Sequence, residues 1–283
     1  MIVAVVRPGA AVLALALTAA LLLARGAEAQ REFRVYPSFE GASADAPLPT
    51  DWNVPGELVI GRLMYPSGRF GFGGDWRQGY ASWTDDYPRG DRKLVEMIRR
   101  FTRTEVRGVE QPVNLEDGND VDYWPFLVVG LASAWQLTDE MAATLREYLL
   151  RGGFLFCDSF FGTRDWAVFE ESLHRVFPDR PILELRADEP VFHIVFELPE
   201  MIHTQIPNAN SWFRGGPGYL GADGAVPHWR GVFDDDGRLM VLIAHNNDVA
   251  DAWQWADDPR FPADKANLAL RFGVNVVMYA MTH

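Results

Sequence analysis

From residue 57 onward the apolar and polar positions of the chain alternate between strand-like and helix-like stretches. Glu57–Tyr65, ELVIGRLMY, switches between apolar and polar residues and predicts a strand. Arg89–Thr102 places Leu94, Ile98 and Phe101 on one helical face. Pro125–Gly130, PFLVVG, is apolar at almost every position, as suits a strand buried on both faces of a parallel sheet. Thr138 stands as an N-cap ahead of Asp139 and Glu140, and Gly152 or Gly153 closes that helix. GGFLFCDS predicts the next strand, and RDWAVFEESLHRVF the next helix, stopped by Pro178. This β-α-β-α rhythm predicts an α/β fold on a mostly parallel, doubly wound sheet.

The second half has a different pattern. PVFHIVFEL (190–198) and the pair in HWRGVFDDDGRLMVLIA (228–244) predict longer antiparallel strands, an antiparallel extension of the sheet. Asp234–Gly237 supplies the turn of the pair. Those aspartates lack the alternating oxygens of a calcium loop. A last helix is predicted from Pro262 to Tyr279, with proline in its first turn. Residues 30–56 show no period and are expected to form an extended N-terminal arm. Pro66–Pro88 is a long loop carrying Phe70, Phe72, Trp76, Tyr80, Trp83 and Tyr87, too many rings to leave in water. Residues 57–283 are expected to make a single α/β domain.

The first 29 residues add a destination. Arg7 precedes the uncharged apolar run Ala10–Leu23, and Ala27-Glu28-Ala29 fits a small-x-small cleavage site. The run is shorter than the roughly 20 residues of a membrane span. Residues 1–29 therefore read as a secretory signal peptide, and the expected location is periplasmic or extracellular. Membrane contact would come only through this segment, if it is retained. With 39 acidic against 26 basic residues the net charge is −13, which argues against nucleic acid and anionic membranes as partners.

Cys157 is the only cysteine, so the chain forms no internal disulfide. A nucleophile on a strand-end elbow needs small neighbours, because the turn is strained and the backbone comes close. Here Leu155-Phe156-Cys157-Asp158-Ser159 has no glycine on either side of the cysteine, and Asp158 would raise the thiol's pKa. Cys157 reads as a small core hydrophobe. Asp158 and Ser159 are the first polar residues beyond that strand, where ligands gather in open α/β sheets. Asp158 suits first a helix cap or loop-fixing carboxylate, and second a ligand or acid–base group.

The run AHNNDVADAWQWADD (244–258) follows the strand RLMVLIA and brings His245, Asn247, Asp248, Asp251 and Trp253 to another strand end. It suits a sugar- or peptide-binding loop or an Asx-rich turn, and its carboxylates and amides could also hold calcium. Asp85, Asp86 and Asp91 open the first helix, where the helix dipole alone favours acids. The remaining histidines show no zinc-ligand spacing, and no metal ligand is assigned.

DYPRGD, YLLRGGFLFCDSFFG, VFPD, GRLMVLIAHNNDVADAWQWADDPRFP and RFGVNVVMYAMTH together resemble exported bacterial proteins of domain of unknown function 4159. The resemblance implies a class I glutamine-amidotransferase-like, three-layer flavodoxin-like fold, and no established reaction. The first functional expectation is a triad-less ligand- or partner-binding domain of the cell envelope, its partner a small molecule or an envelope protein. Its site would comprise Asp158, Ser159, His245, Asn247, Asp248, Asp251 and Trp253, with Asp86 closing one side. The alternative is an envelope glycan or peptide hydrolase using Asp158 or Asp248 as base and His245 as acid. The third is a structural component of a membrane-associated complex that uses the aromatic loop as its contact surface. No cofactor is assigned.

Overall fold

The computed structural model describes residues 32–68, 71–72 and 74–283; the expected signal segment 1–29, the first two residues of the arm and Phe70 lie outside the described residues. The elements in chain order are β1 (Ile60–Met64), α1 (Arg89–Phe101), β2 (Gln111–Asn114), β3 (Phe126–Val129), α2 (Asp139–Leu150), β4 (Phe154–Phe160) and α3 (Gly162–Val176). They continue with β5 (Leu183–Glu184), α4 (Ala209–Phe213), β6 (His228–Phe233), β7 (Leu239–His245), α5 (Val249–Gln254) and α6 (Ala263–Thr282). The strands form one seven-stranded sheet in the order β2-β1-β3-β4-β7-β6-β5. Pairs from β2 to β7 are parallel, and β6 and β5 extend the edge antiparallel. The fold is α/β with a mostly parallel sheet, and Phe33–His283 is one compact unit.

Successive strand residues point to opposite faces, and this sorts the core into two halves. Phe126, Val128, Phe154, Phe156, Leu242 and Ala244 pack against α1, α5 and α6. Leu127, Val129, Leu155, Cys157, Val241 and Ile243 pack against α2 and α3. Helices on both faces explain why the central strands read as apolar runs rather than alternating ones. Thr138 caps α2 as predicted, its hydroxyl accepting from Met141 N at 3.2 Å. Asp234 fixes the β6–β7 turn by accepting from Asp236 N and Arg238 N.

Three features depart from the pattern. The strand expected at 190–198 is a 3₁₀ turn, Pro190–Phe192, followed by irregular chain. Its backbone finds partners on α6 instead of a sheet: Asn275 Oδ1 accepts from Val195 N and Phe196 N, and Asn275 Nδ2 donates to Phe196 O. Residues 249–254, read as a polar loop or turn, form α5. Phe101, expected on the packed face of α1, is 42% exposed and meets Phe196 edge-on.

Among its described residues the arm contains no strand or α-helix, and a 3₁₀ turn spans Gly41–Ser43. It is nonetheless fastened, since Ser38 Oγ donates to Thr84 O and Arg92 Nη1 to Ala46 O. In the aromatic loop Trp76, Trp83 and Tyr87 are buried in the α2–α3 half of the core. Phe72 and Tyr80 stay exposed, with Phe72 stacked on Phe39 of the arm. Among the described residues no helix is long and apolar enough to cross a membrane.

Candidate functional site

The carboxyl end of β4 is where the ladder breaks. Pairing with β7 shifts register between Cys157 and Phe160. Ser159 inside that irregularity has φ +65°, a left-handed conformation that a non-glycine residue adopts only at a cost of order 1 kcal/mol. The distortion lets Ser159 Oγ donate to Asp248 Oδ1 at 2.9 Å. Asp158 follows Phe154 and Phe156 in period two, toward the α1–α5–α6 side. Its Oδ2 accepts from Ala250 N in the first turn of α5 at 2.7 Å. Its Oδ1 is buried with no hydrogen-bond partner. The cap expected of Asp158 is thus real for one oxygen, and it caps α5 across the sheet rather than the helix that follows it.

Asp248 and Asp251 enter from the end of β7. Asp248 is the N-cap of α5, and its carboxylate also receives Asn208 Nδ2 at 2.8 Å. Asp251, in the first turn of the helix, accepts from Ala209 N at 2.7 Å, Asn208 Nδ2 at 3.2 Å and Trp255 Nε1 at 3.2 Å. Every one of these donors is neutral. Asp86, at φ +58° in the turn before α1, completes the group. One carboxylate oxygen from each of Asp86, Asp248 and Asp251 lies within 4.8 Å of the others. Asp86 Oδ2 is buried without a partner. Glu40 of the arm closes over them, its Oε2 accepting from Asp86 N at 2.7 Å and Gln254 Nε2 at 3.1 Å.

Little positive charge balances this cluster. Arg62, whose charge reaches Asp85, Asp86 and Glu40, is already paired with Asp91 at 2.7 and 3.2 Å. Asp86, Asp158, Asp248 and Asp251 are each no more than 5% exposed. Two like charges about 5 Å apart repel by roughly 3 kcal/mol at an effective dielectric near 20. Burial accordingly pushes all four carboxyls up, and neighbouring carboxylates, above all Asp248 and Asp85, push Asp158, Asp251 and Asp86 further. Asp85 and Glu40 are raised by burial too. Such an arrangement holds protons or attracts a positively charged ligand.

His245 belongs elsewhere. It continues Val241 and Ile243 onto the α2–α3 face, away from Asp158. Its Nε2 donates to Gly162 O at 3.0 Å and its Nδ1 accepts from Arg230 Nη1 at 3.0 Å, with the ring stacked on Phe160. Burial, reinforced by Arg230 and His228, pushes its pKa down to about 4. No described hydrogen bond joins it to Asp158 or Asp248, so the pairing expected for acid–base chemistry is not formed, because strand parity divides the partners. Asn247 is spent on the backbone, accepting from Ile206 N and donating to His245 O. Trp253 is a core residue, its Nε1 donating to Ala269 O and its ring beside Phe156, and not a stacking platform. Cys157 is fully buried, and burial beside Asp158 raises its thiol well above the ordinary value.

Of the residues nominated from the sequence, the structure brings Asp86, Asp158, Ser159, Asp248 and Asp251 together; Glu40, Asn208 and Gln254, which join them, were not nominated. Asn208 carried a faint local signal, an Asn just before a short helical segment, which it caps through Ser211 N. Glu40 carried none.

No curated protein matches the chain. The carboxylates contributed by the sheet's edge, Asp86, Asp158, Asp248 and Asp251, fall inside the stretch 75–281, which matches a family described as Domain of unknown function (DUF4159), whereas Glu40 falls outside it. With that match over most of its length, the chain belongs to the DUF4159 family.

Proposed function

We propose that this chain is a cell-envelope binding domain with a flavodoxin-like, class I glutamine-amidotransferase-like architecture that works without a cysteine nucleophile. Its five parallel strands, numbered among themselves, run 2-1-3-4-5, the doubly wound order of flavodoxin-like sheets, which supports that architecture. The N-terminal run Ala10–Leu23 with Ala27-Glu28-Ala29 supports export. The observation that carries the reading is the convergence of Asp86, Asp158, Asp248 and Asp251 at the carboxyl edge of the sheet, with neutral donors only and two unpartnered oxygens. A site so acidic takes a ligand that bears positive charge.

A hydrolytic reading retains one observation. Ser159 sits in a strained left-handed turn at a strand end with its hydroxyl on Asp248, the placement a serine nucleophile occupies in elbow turns. His245 does not serve it as acid, being on the other face and neutral above about pH 4. The two readings separate on fluorogenic peptide and glycoside substrates assayed with wild type, Asp158→Asn and Ser159→Ala. Binding without chemistry gives no turnover in any of them, and a rise in Tm with cationic small molecules that Asp251→Asn removes. Turnover in wild type that disappears in Asp158→Asn or Ser159→Ala, with the circular dichroism unchanged, replaces the binding reading by hydrolysis.

A further inference from the structure

We propose that Asp86, Asp248 and Asp251 are the protein ligands of a hard divalent cation of the calcium or magnesium class, bound under Glu40 at the carboxyl edge of the sheet. This deepens the binding reading and rests on it. Three observations carry it together. The first is spacing: two ligand oxygens about 2.4 Å from one ion stand at most about 4.8 Å apart, and one oxygen from each of the three aspartates meets that limit with both others. The second is donor type, since carboxylate oxygens alone, with no imidazole or thiolate, select hard cations over zinc or copper.

The third observation is independent of the cluster's acidity. Asp86 Oδ2 and Gln254 Oε1 are buried without hydrogen-bond partners. Both residues are fastened to the same Glu40 oxygen, one by its backbone N–H and the other by its side-chain amide. Asp86 is itself one of the three clustered aspartates, and Gln254 follows Asp251 by three residues on α5, so both unpartnered acceptors belong to residues at the cluster. A buried acceptor left empty costs about 1–3 kcal/mol, and a cation held by the three aspartates gives the Asp86 carboxylate the partner it lacks. Each of the three aspartates is at most 5% exposed, which favours a small ion over a bulkier cation.

The geometry also supplies a local reporter. Trp255 Nε1 donates to Asp251 Oδ1, which puts an indole next to the ion. The test uses the full chain after its signal segment, stripped of metal with a chelator. Calcium chloride and magnesium chloride are titrated by calorimetry and thermal shift, and terbium is followed by tryptophan-sensitised emission. One ion per chain is expected, with a Tm rise of about 5–10 °C at a hundredfold excess over Kd. Affinity should fall at least about tenfold in Asp86→Asn and Asp251→Asn, and stay unchanged when Asp235 and Asp236 of the β6–β7 turn become Asn. Terbium emission should yield to calcium, or to magnesium if the site prefers the smaller ion. It should vanish in Trp255→Phe while that variant still binds the competing cation.

The proposal is overturned if neither cation binds the wild type, or if Asp86→Asn and Asp251→Asn both fold and bind as wild type does. Should both cations fail while spermidine still raises Tm through Asp251, the divalent site is wrong and the binding reading survives. If spermidine fails as well, both fall.

Discussion

Backbone strain at Asp86 and Ser159 ties the site to single residues. Asp86 has φ +58°, where Asn is the better-tolerated side chain, and its Oδ2 has no partner to lose. Asp86→Asn removes a buried carboxyl whose ionisation is opposed by burial and by Asp85, Asp251, Asp248 and Glu40. In cation-free protein it should raise Tm by about 2–4 °C, roughly 1 kcal/mol, while weakening cation binding. A thermal melt in chelator checks this, and a fall in Tm would mean that Asp86 is held by contacts its charge supplies. At Ser159, alanine keeps the left-handed strain and removes the hydroxyl from Asp248, leaving its Oδ1 only the 3.4 Å contact with Asp251 N. Ser159→Ala should cost about 1 kcal/mol. Ser159→Gly should cost less, because glycine takes φ +65° freely, and urea midpoints of the two variants rank them.

Strand β7 delivers Asp248 and His245 to opposite destinations within four residues, and the consequence is a pH dependence belonging to that strand and its neighbours. His245 faces Arg230 and His228 of β6, Glu184 of β5, and Asp223, which caps the start of α3 through Thr163. Its folded pKa, about 4, lies below the ordinary 6.5, so between these values the unfolded chain binds the extra proton. The stability that His245 contributes is therefore complete above about pH 6.5 and lost as pH falls toward 4, by up to about 3 kcal/mol. His245→Gln can still donate to Gly162 O and should flatten the Tm profile over that window. An equally steep profile in the variant would assign the acid loss to other groups. Elements with strong local periodicity, such as α1, α2, β3, β4, the β6–β7 hairpin and α6, were legible in the sequence. The short QPVN strand, the two-residue β5 and the 190–198 segment were not, because distant partners decide their backbone conformation, as Asn275 does for Val195 and Phe196.

Across the whole molecule, the site assembles from segments some two hundred residues apart, which is why only part of it could be read in advance. The rule that ligands gather at the carboxyl ends of parallel strands pointed to Asp158, Ser159, Asp248 and Asp251. No local pattern marks Glu40, which reaches the cluster only because the arm is laid across the finished fold by Ser38, Gln254 and Arg92. Glu40 has two opposed effects there: it satisfies the buried Asp86 N–H and adds a negative charge. Substitutions separate them. Glu40→Gln keeps an acceptor oxygen and removes the charge, so cation-free protein should become slightly more stable, by less than about 1 kcal/mol. Glu40→Ala removes both and leaves Asp86 N unsatisfied, which should lower stability by about 1–2 kcal/mol and loosen the arm first. Hydrogen exchange at residues 33–47 should then speed up before exchange in β3 and β4 does. If Glu40→Ala leaves both the urea midpoint and arm protection unchanged, the arm is held by its other contacts, among them Ser38, Gln254 and Arg92, and the cluster beneath it opens and closes independently of Glu40.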